Sequence, residues 1–274
     1  MSETAAARRD EAAGPIGVFD SGVGGLSVLR EIRALLPHED LLYVADSAHI
    51  PYGEKSTRFV EARSLAITTF LLKHRAKAVV VACNTASGAA LATLRAQFSV
   101  PIVGMEPAVK PAAQQTRSRR VAVLATSGTL ASEKFAQLLA RVGGGVAVHV
   151  QACPGLVEQV EAGALDGDDT RALVEKYVAP LLHRGVDTLV LGCTHYPFLL
   201  PLIRQVAGPA VSVIDPSPAV ARELRRRLES ERLLAPAVRP GSERFCSSGP
   251  TDQTKRVMAQ LWGKHVPLAP MTES

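Results

Sequence analysis

Short runs of β-branched and other apolar residues alternate along this chain with longer segments whose apolar positions recur at helical spacing. IGVFD (16–20) leads into a segment in which Leu26, Leu29, Ile32 and Leu36 fall on one face of a 3.6-residue period. LLYVAD (41–46) precedes a second helical segment at 56–73, AVVVA (78–82) a third at 86–98, and VPIVGM (100–105) adds a fourth strand. These strands are apolar throughout rather than alternating. That is the pattern of parallel strands covered by helices on both faces.

EPAVKPAAQQTRSRR (106–120) is richer in proline and polar residues and reads as a crossing to a second unit, after which the rhythm restarts. VAVLAT (121–126), a helix, VAVHVQAC (146–153), two helices and TLVLGC (188–193) follow; then come a helix, VSVID (211–215), an arginine-rich helix, and a closing strand and helix near 244–263. Two α/β units of similar size result. VVVACNTAS (79–87) in one and LVLGCTHYP (189–197) in the other place Cys83 and Cys193 at the end of the corresponding strand.

The length of 274 residues suits two domains. Apolar residues at 47% and charged residues at 21% argue against disorder or a fibrous repeat. No apolar run approaches the roughly 20 residues that span a bilayer, and MSETAAARRDEA (1–12) lacks the apolar centre of a signal peptide, so a disordered tail on a cytoplasmic protein is expected. The formal charge of +5 and the clusters RSRR (117–120) and RELRRRLESER (222–232) raise a regulatory or nucleic-acid-binding reading. Glu223, Glu229 and Glu231, interspersed at helical spacing, make the second cluster a solvated helix face instead. No CxxC pair joins Cys83, Cys153, Cys193 and Cys246, which argues against a zinc, iron–sulfur or thioredoxin-like site. Cys153 and Cys246 are expected to be structural.

In open parallel sheets ligands bind beyond the carboxyl ends of the strands. FDSGVGG (19–25), CNTAS (83–87) and CTHYP (193–197) all sit at such ends and predict one cleft. A cysteine at a helix N-terminus is expected to have its pKa lowered toward a usable thiolate. Two thiols facing one carbon can take a proton from one side of a stereocentre and return one to the other, inverting it. A single-nucleophile hydrolase would pair Cys193 with His195 and leave Cys83 idle. Asn84, Thr85 and Thr194 offer donors for a carbanion's carboxylate, so no cofactor and no metal are required. DSGVGG is not a phosphate loop, because Ser27 stands where a third glycine belongs and Asp20 would repel phosphate. The acid suits a substrate ammonium group or a nearby thiol.

With GVFDSGVGGLSVLREI, ADSAHIPYGEKS (45–56), ACNTAS (82–87), CPGLVEQVEAG (153–163) and LGCTHYPFL (191–199) in that order, the chain resembles the bacterial glutamate racemases of the cofactor-independent aspartate/glutamate racemase superfamily. The resemblance runs from about residue 16 to 263. It implies two pseudo-symmetric α/β domains, each with a mainly parallel sheet flanked by helices, around a central active-site cleft. The expected division is a tail at 1–13, a first domain at 14–107 plus 209–264, a second at 108–208 and a C-terminal tail at 265–274. It further implies that Cys193 deprotonates L-glutamate and Cys83 D-glutamate, that Asp20 and His195 assist the thiols, and that Glu161 orients His195. Glu158 stands where the family commonly has proline, so either acid could face the cleft. Substrate contacts map onto Asp20, Ser21, Tyr52, Gly53, Asn84, Thr85, Thr194 and His195, with Thr129 a further candidate for a carboxylate. The implied role is D-glutamate supply for peptidoglycan synthesis in the cytoplasm by a homodimer; some members interact with DNA gyrase, for which this sequence carries no specific feature. An aspartate or broad-specificity racemase is the rival reading.

Overall fold

The computed structural model describes residues 13–142 and 145–272, so the tail expected at 1–13 lies, apart from Ala13, outside the described residues. Strands β1 (Ile16–Asp20), β2 (Leu41–Ala45), β3 (Ala78–Val81) and β4 (Ile102–Gly104) alternate with helices α1 (Leu26–Leu35), α2 (Thr57–Lys73) and α3 (Asn84–Gln97). Helix α4 (Val109–Gln115) crosses to β5 (Arg120–Ala125), α5 (Ser127–Leu130), α6 (Glu133–Ala140), β6 (Ala147–Ala152), α7 (Leu156–Glu161), α8 (Asp168–His183) and β7 (Thr188–Gly192). Next come α9 (Leu200–Ala207), β8 (Ser212–Ile214), α10 (Ser217–Glu231), β9 (Glu243–Ser247), α11 (Asp252–Trp262) and β10 (Leu268–Pro270).

The strands form a six-stranded sheet, β10-β9-β2-β1-β3-β4, and a four-stranded sheet, β6-β5-β7-β8, with every neighbouring pair parallel. Four strands of the first sheet, β2-β1-β3-β4, run in the same order as the whole of the second. Cys83 follows β3 and Cys193 follows β7, which are equivalent strands in this scheme. Strands β1, β2, β3 and β7 are buried along their whole length, as their unbroken apolar runs require. Helix α1 is held by Leu26, Val28, Leu29 and Ile32 on its buried face. Ser56, Thr126, Ser132 and Thr251 each accept a backbone N–H at the start of α2, α5, α6 and α11. Each such cap contributes about 1 kcal/mol. One apolar cluster contains Val18 and Val80 of the larger sheet together with Leu124, Leu189 and Leu191 of the smaller one, so the two layers share a core beneath the strand ends. Among the described residues no helix is long and apolar enough to cross a membrane.

Two expected boundaries need correction. The chain was expected to rejoin the first unit at 209, yet β8 pairs with β7 in the smaller sheet, Thr188 opposite Ser212, so the return comes after Ile214. The segment 265–274 was expected to be a tail. Instead Leu268–Pro270 adds an edge strand to β9, the Met271 N–H donates to the Ser247 carbonyl at 2.7 Å, and Val266 and Met271 are buried. Apolar burial at both ends of this short strand fixes it.

Candidate active site

The loops beyond β1, β3 and β7 converge on one small pocket. Ser21, Pro51, Tyr52, Gly53, Cys83, Asn84, Thr85, Thr126, Thr129, Val157, Cys193, Thr194 and His195 line it. Both thiols are free, and the residues are only 5% (Cys83) and 7% (Cys193) exposed, so little of either sulfur meets solvent. Every expected substrate-contact residue is in the lining except Asp20, which stands behind Cys83 and Thr194.

Cys83 caps the N-terminus of α3, with its sulfur 3.5 Å from the Ala86 N–H. The helix was expected to lower its pKa. Burial raises it well above the ordinary thiol range, the Asp20 charge adds to the rise, and the Ala86 hydrogen bond offsets only part. A helix terminus contributes at most about 2 kcal/mol, whereas full burial shifts a group by up to roughly 3–5 pKa units. Desolvation therefore wins. The thiol donates to Ser21 Oγ at 3.9 Å, and the Asp20 carboxyl is close enough for the two groups to shift each other's pKa. Asp20 is itself fully buried: Oδ1 accepts from the Ser21 N–H at 2.6 Å and Oδ2 from Thr194 Oγ1 at 3.0 Å. Burial raises its carboxyl, against the opposing pull of His195 and the Cys83 thiol.

The second thiol has different company. Cys193 was expected at a helix N-terminus, but the chain there makes a 3₁₀ turn, Tyr196–Leu199, and α9 begins only at Leu200. Pro197 and Pro201 restrict the backbone across that stretch. The place of a helix is taken by His195, whose Nδ1 lies 3.7 Å from Cys193 Sγ and whose Nε2 lies 2.7 Å from Glu161 Oε1. The same carboxylate oxygen accepts the Val23 N–H at 2.7 Å. Of the two candidate acids, Glu161 at the end of α7 meets the imidazole, while Glu158 is exposed. Burial opposes a charge on His195, but its hydrogen bonds to Cys193 and then Glu161 outweigh it and raise the imidazole well above its usual value. The imidazole thus presents Nδ1 to the Cys193 sulfur while Glu161 holds its other ring nitrogen.

Asn84 is 5% exposed, lines the pocket, and leaves both Oδ1 and Nδ2 without a partner. An unpaired buried polar group costs about 1–3 kcal/mol, so a pocket ligand is its natural partner. Thr85 Oγ1 lies 2.9 Å from Thr126 Oγ1 and 3.2 Å from Thr129 Oγ1, a cluster of hydroxyls on one wall. Tyr52 is held from behind, its hydroxyl donating to Asp46 Oδ2 at 2.5 Å while Arg63 Nε and Nη2 each meet the same carboxylate at 3.0 Å. Pro51, Thr126 and Val157 escaped the sequence reading. Thr126 follows β5 as Ser21 follows the equivalent β1, a positional signal that was present; Val157, on α7, had none. No lysine or arginine is among the lining residues.

Residues 16–224 match the family model Asp/Glu/Hydantoin racemase. A glutamate racemase of Methylococcus capsulatus is 59% identical over 248 residues, covering 90% of this chain and 92% of that protein. The crystal structure of a glutamate racemase from Bacillus anthracis superposes with a TM-score of 0.86 at 34% identity, covering 94% of this chain and 97% of that one. The Escherichia coli glutamate racemase, solved with L-glutamate and the activator UDP-MurNAc-Ala, superposes with a TM-score of 0.81 at 34% identity, covering 94% and 97%.

Proposed function

The chain belongs to the Asp/Glu/hydantoin racemase family, and from that premise we propose that it is an isomerase interconverting L- and D-glutamate without a cofactor, by proton transfer between two cysteines. The observation that carries the reading is the placing of Cys83 and Cys193, from equivalent strands of the two sheets, in the lining of a single small pocket.

In the L to D direction the Cys193 thiolate takes the α-proton, and Cys83, kept protonated by burial and by Asp20, delivers its own proton to the opposite face. The reverse reaction exchanges these roles. One sulfur gains the proton that the other loses, so a turnover leaves their protonation states swapped until solvent or the reverse reaction resets them. His195, held by Glu161, stabilises negative charge on Cys193, and Asp20 stands beside Cys83. Glu161 and Asp20 act as positioning residues behind the lining. Negative charge that develops toward the α-carboxylate is met by preorganised donors, the Asn84 amide and the Thr85 and Thr194 hydroxyls. The side-chain carboxylate has no lysine or arginine to meet it; the Thr85–Thr126–Thr129 hydroxyls and backbone N–H groups are its partners. The corresponding biological role is the supply of D-glutamate to cell-wall peptidoglycan by a cytoplasmic homodimer of two-domain protomers.

The test is the decay of circular dichroism of an L-glutamate solution with no cofactor added, repeated with L-aspartate. Decay for glutamate alone supports the assignment. Faster decay for aspartate would replace glutamate by aspartate as substrate, and a constant signal for both would end the proposal.

A further inference from the structure

The two thiols are almost wholly buried, so a substrate the size of an amino acid reaches them by a movement, and the contacts around the pocket rim differ in kind. On the floor, the loops of the two sheets are joined by polar bonds, the first part-buried and the others buried: Glu161 Oε1 to Val23 N at 2.7 Å, Asp20 Oδ2 to Thr194 Oγ1 at 3.0 Å, and Ser27 Oγ to the Thr194 carbonyl at 2.8 Å. Carboxylate hydrogen bonds of this sort contribute about 1.5–3 kcal/mol each, and the shared apolar core lies beneath them. At the opposite rim the turn Tyr52–Glu54 rests on α5 through glycine. A Cβ placed on Gly128 would lie 2.9 Å from the Gly53 carbonyl oxygen and 3.1 Å from Gly53 Cα, and one placed on Gly53 would lie 2.9 Å from Thr126 Cβ. Backbone meets backbone there, with neutral hydroxyls alongside.

Outside this seam is an open groove of about 1320 Å³, whose walls include Gly53, Thr85 and Gly128. Gly53 and Thr85 also line the thiol pocket. Groove and pocket are therefore neighbours across the Gly53–Gly128 contact.

We propose that the amino-acid substrate passes from this groove to the thiols by parting of the Gly53–Gly128 seam, and that the two glycines set the balance between the open and closed pocket. The idea rests on the racemase reading only for the identity of the substrate. The weaker rim parts while the bonded floor acts as hinge. A side chain at the seam clashes only when it is shut, so it shifts the population toward the open form. Neither glycine has a positive φ, so alanine at either position disturbs the contact rather than the local backbone.

The experiment is the rate of alkylation of each cysteine by iodoacetamide, read by mass spectrometry, in wild type, Gly128→Ala and Gly53→Ala. Overpacking of this kind shifts such an equilibrium on the order of tenfold. Cys83 and Cys193 are expected to react about that much faster in both variants, with KM for both enantiomers raised and kcat lowered by less than their loss in kcat/KM. Cys153 and Cys246 are buried and lie outside the pocket, so their rates stay unchanged. Faster reaction of all four cysteines would signify general loosening of the fold and overturn the proposal, as would pocket thiols reacting at the wild-type rate or slower. Because alkylation needs no turnover, a failed seam and a failed racemase assignment give different results.

Discussion

Replacing Glu161 by glutamine keeps an oxygen in place for both the Val23 N–H and His195 Nε2, at 2.7 Å each, and removes only the charge. A charge-assisted hydrogen bond is about twice as strong as a neutral one, so His195 loses on the order of 1.5 kcal/mol of support for its cationic form. That is about one pKa unit. In the wild type the imidazole is raised well above 6.5, so its charge persists as pH rises and is lost only through that higher value. The pairing likewise stabilises the fold fully below about pH 6.5 and less as pH climbs through the folded-state value. In Glu161→Gln the alkaline limb of the pH–rate profile should move to lower pH by about one unit, with kcat reduced about tenfold on that limb. Since two enantiomers have equal free energy in solution, kcat/KM must fall equally in both directions, and any asymmetry appears only in kcat and KM separately. Circular dichroism followed from each pure enantiomer between pH 6 and 10 measures this. An alkaline limb and kcat unchanged from wild type would refute the claim that Glu161 acts through the charge of His195.

Other changes separate the remaining roles. Cys83→Ser and Cys193→Ser should each lose racemisation by at least 10²-fold while deuterium from solvent still enters only the enantiomer facing the surviving thiol; deuteration of both enantiomers by either variant would break the two-base assignment. Asn84→Ala removes two unpartnered buried atoms, so its melting temperature should hold or rise although KM increases about tenfold or more; a lowered melting temperature with unchanged KM would make Asn84 structural. Arg63→Met leaves the buried Asp46 carboxylate without its bidentate partner, at a cost of about 3–5 kcal/mol in urea unfolding at neutral pH. The Asp46 carboxyl is held low because Arg63 and Tyr52 outweigh its burial, so its contribution is present above the unfolded carboxylate range and vanishes as pH falls through the folded value. A difference from wild type that failed to narrow in acid would contradict that account.

What could be read from the chain was what depends on local pattern. The buried strands announce themselves as unbroken apolar runs, and the paired motifs around Cys83 and Cys193 mark strand ends whose equivalence the sheet order bears out. Three features were hidden for physical reasons. Strand β10 is three residues long and contains a proline, so no period could form; it exists because β9 offers an edge and Val266 and Met271 bury. The helix beneath Cys83 was legible, but desolvation, which reverses the expected pKa shift, depends on residues brought in from other loops. Val157 enters the pocket because α7 lies beside it, and nothing in its own neighbourhood of the sequence says so.

The two halves of the site share a frame and differ in chemistry, a difference that the proposed two-base reaction accounts for. A two-fold repeat of strands suits the bases, because the hydrogen leaves one face of the α-carbon and arrives at the other. It cannot suit the binding groups, since the carboxylates and the ammonium group of either enantiomer must be held by one set of donors in one place. Asn84 and Thr85 follow Cys83, and the same places after Cys193 are taken by Thr194 and His195, so equivalent positions carry different groups. The partners of the sulfurs diverge as well: a buried carboxyl stands beside Cys83, whose thiol is raised by burial, and the His195 imidazole stands 3.7 Å from the Cys193 sulfur.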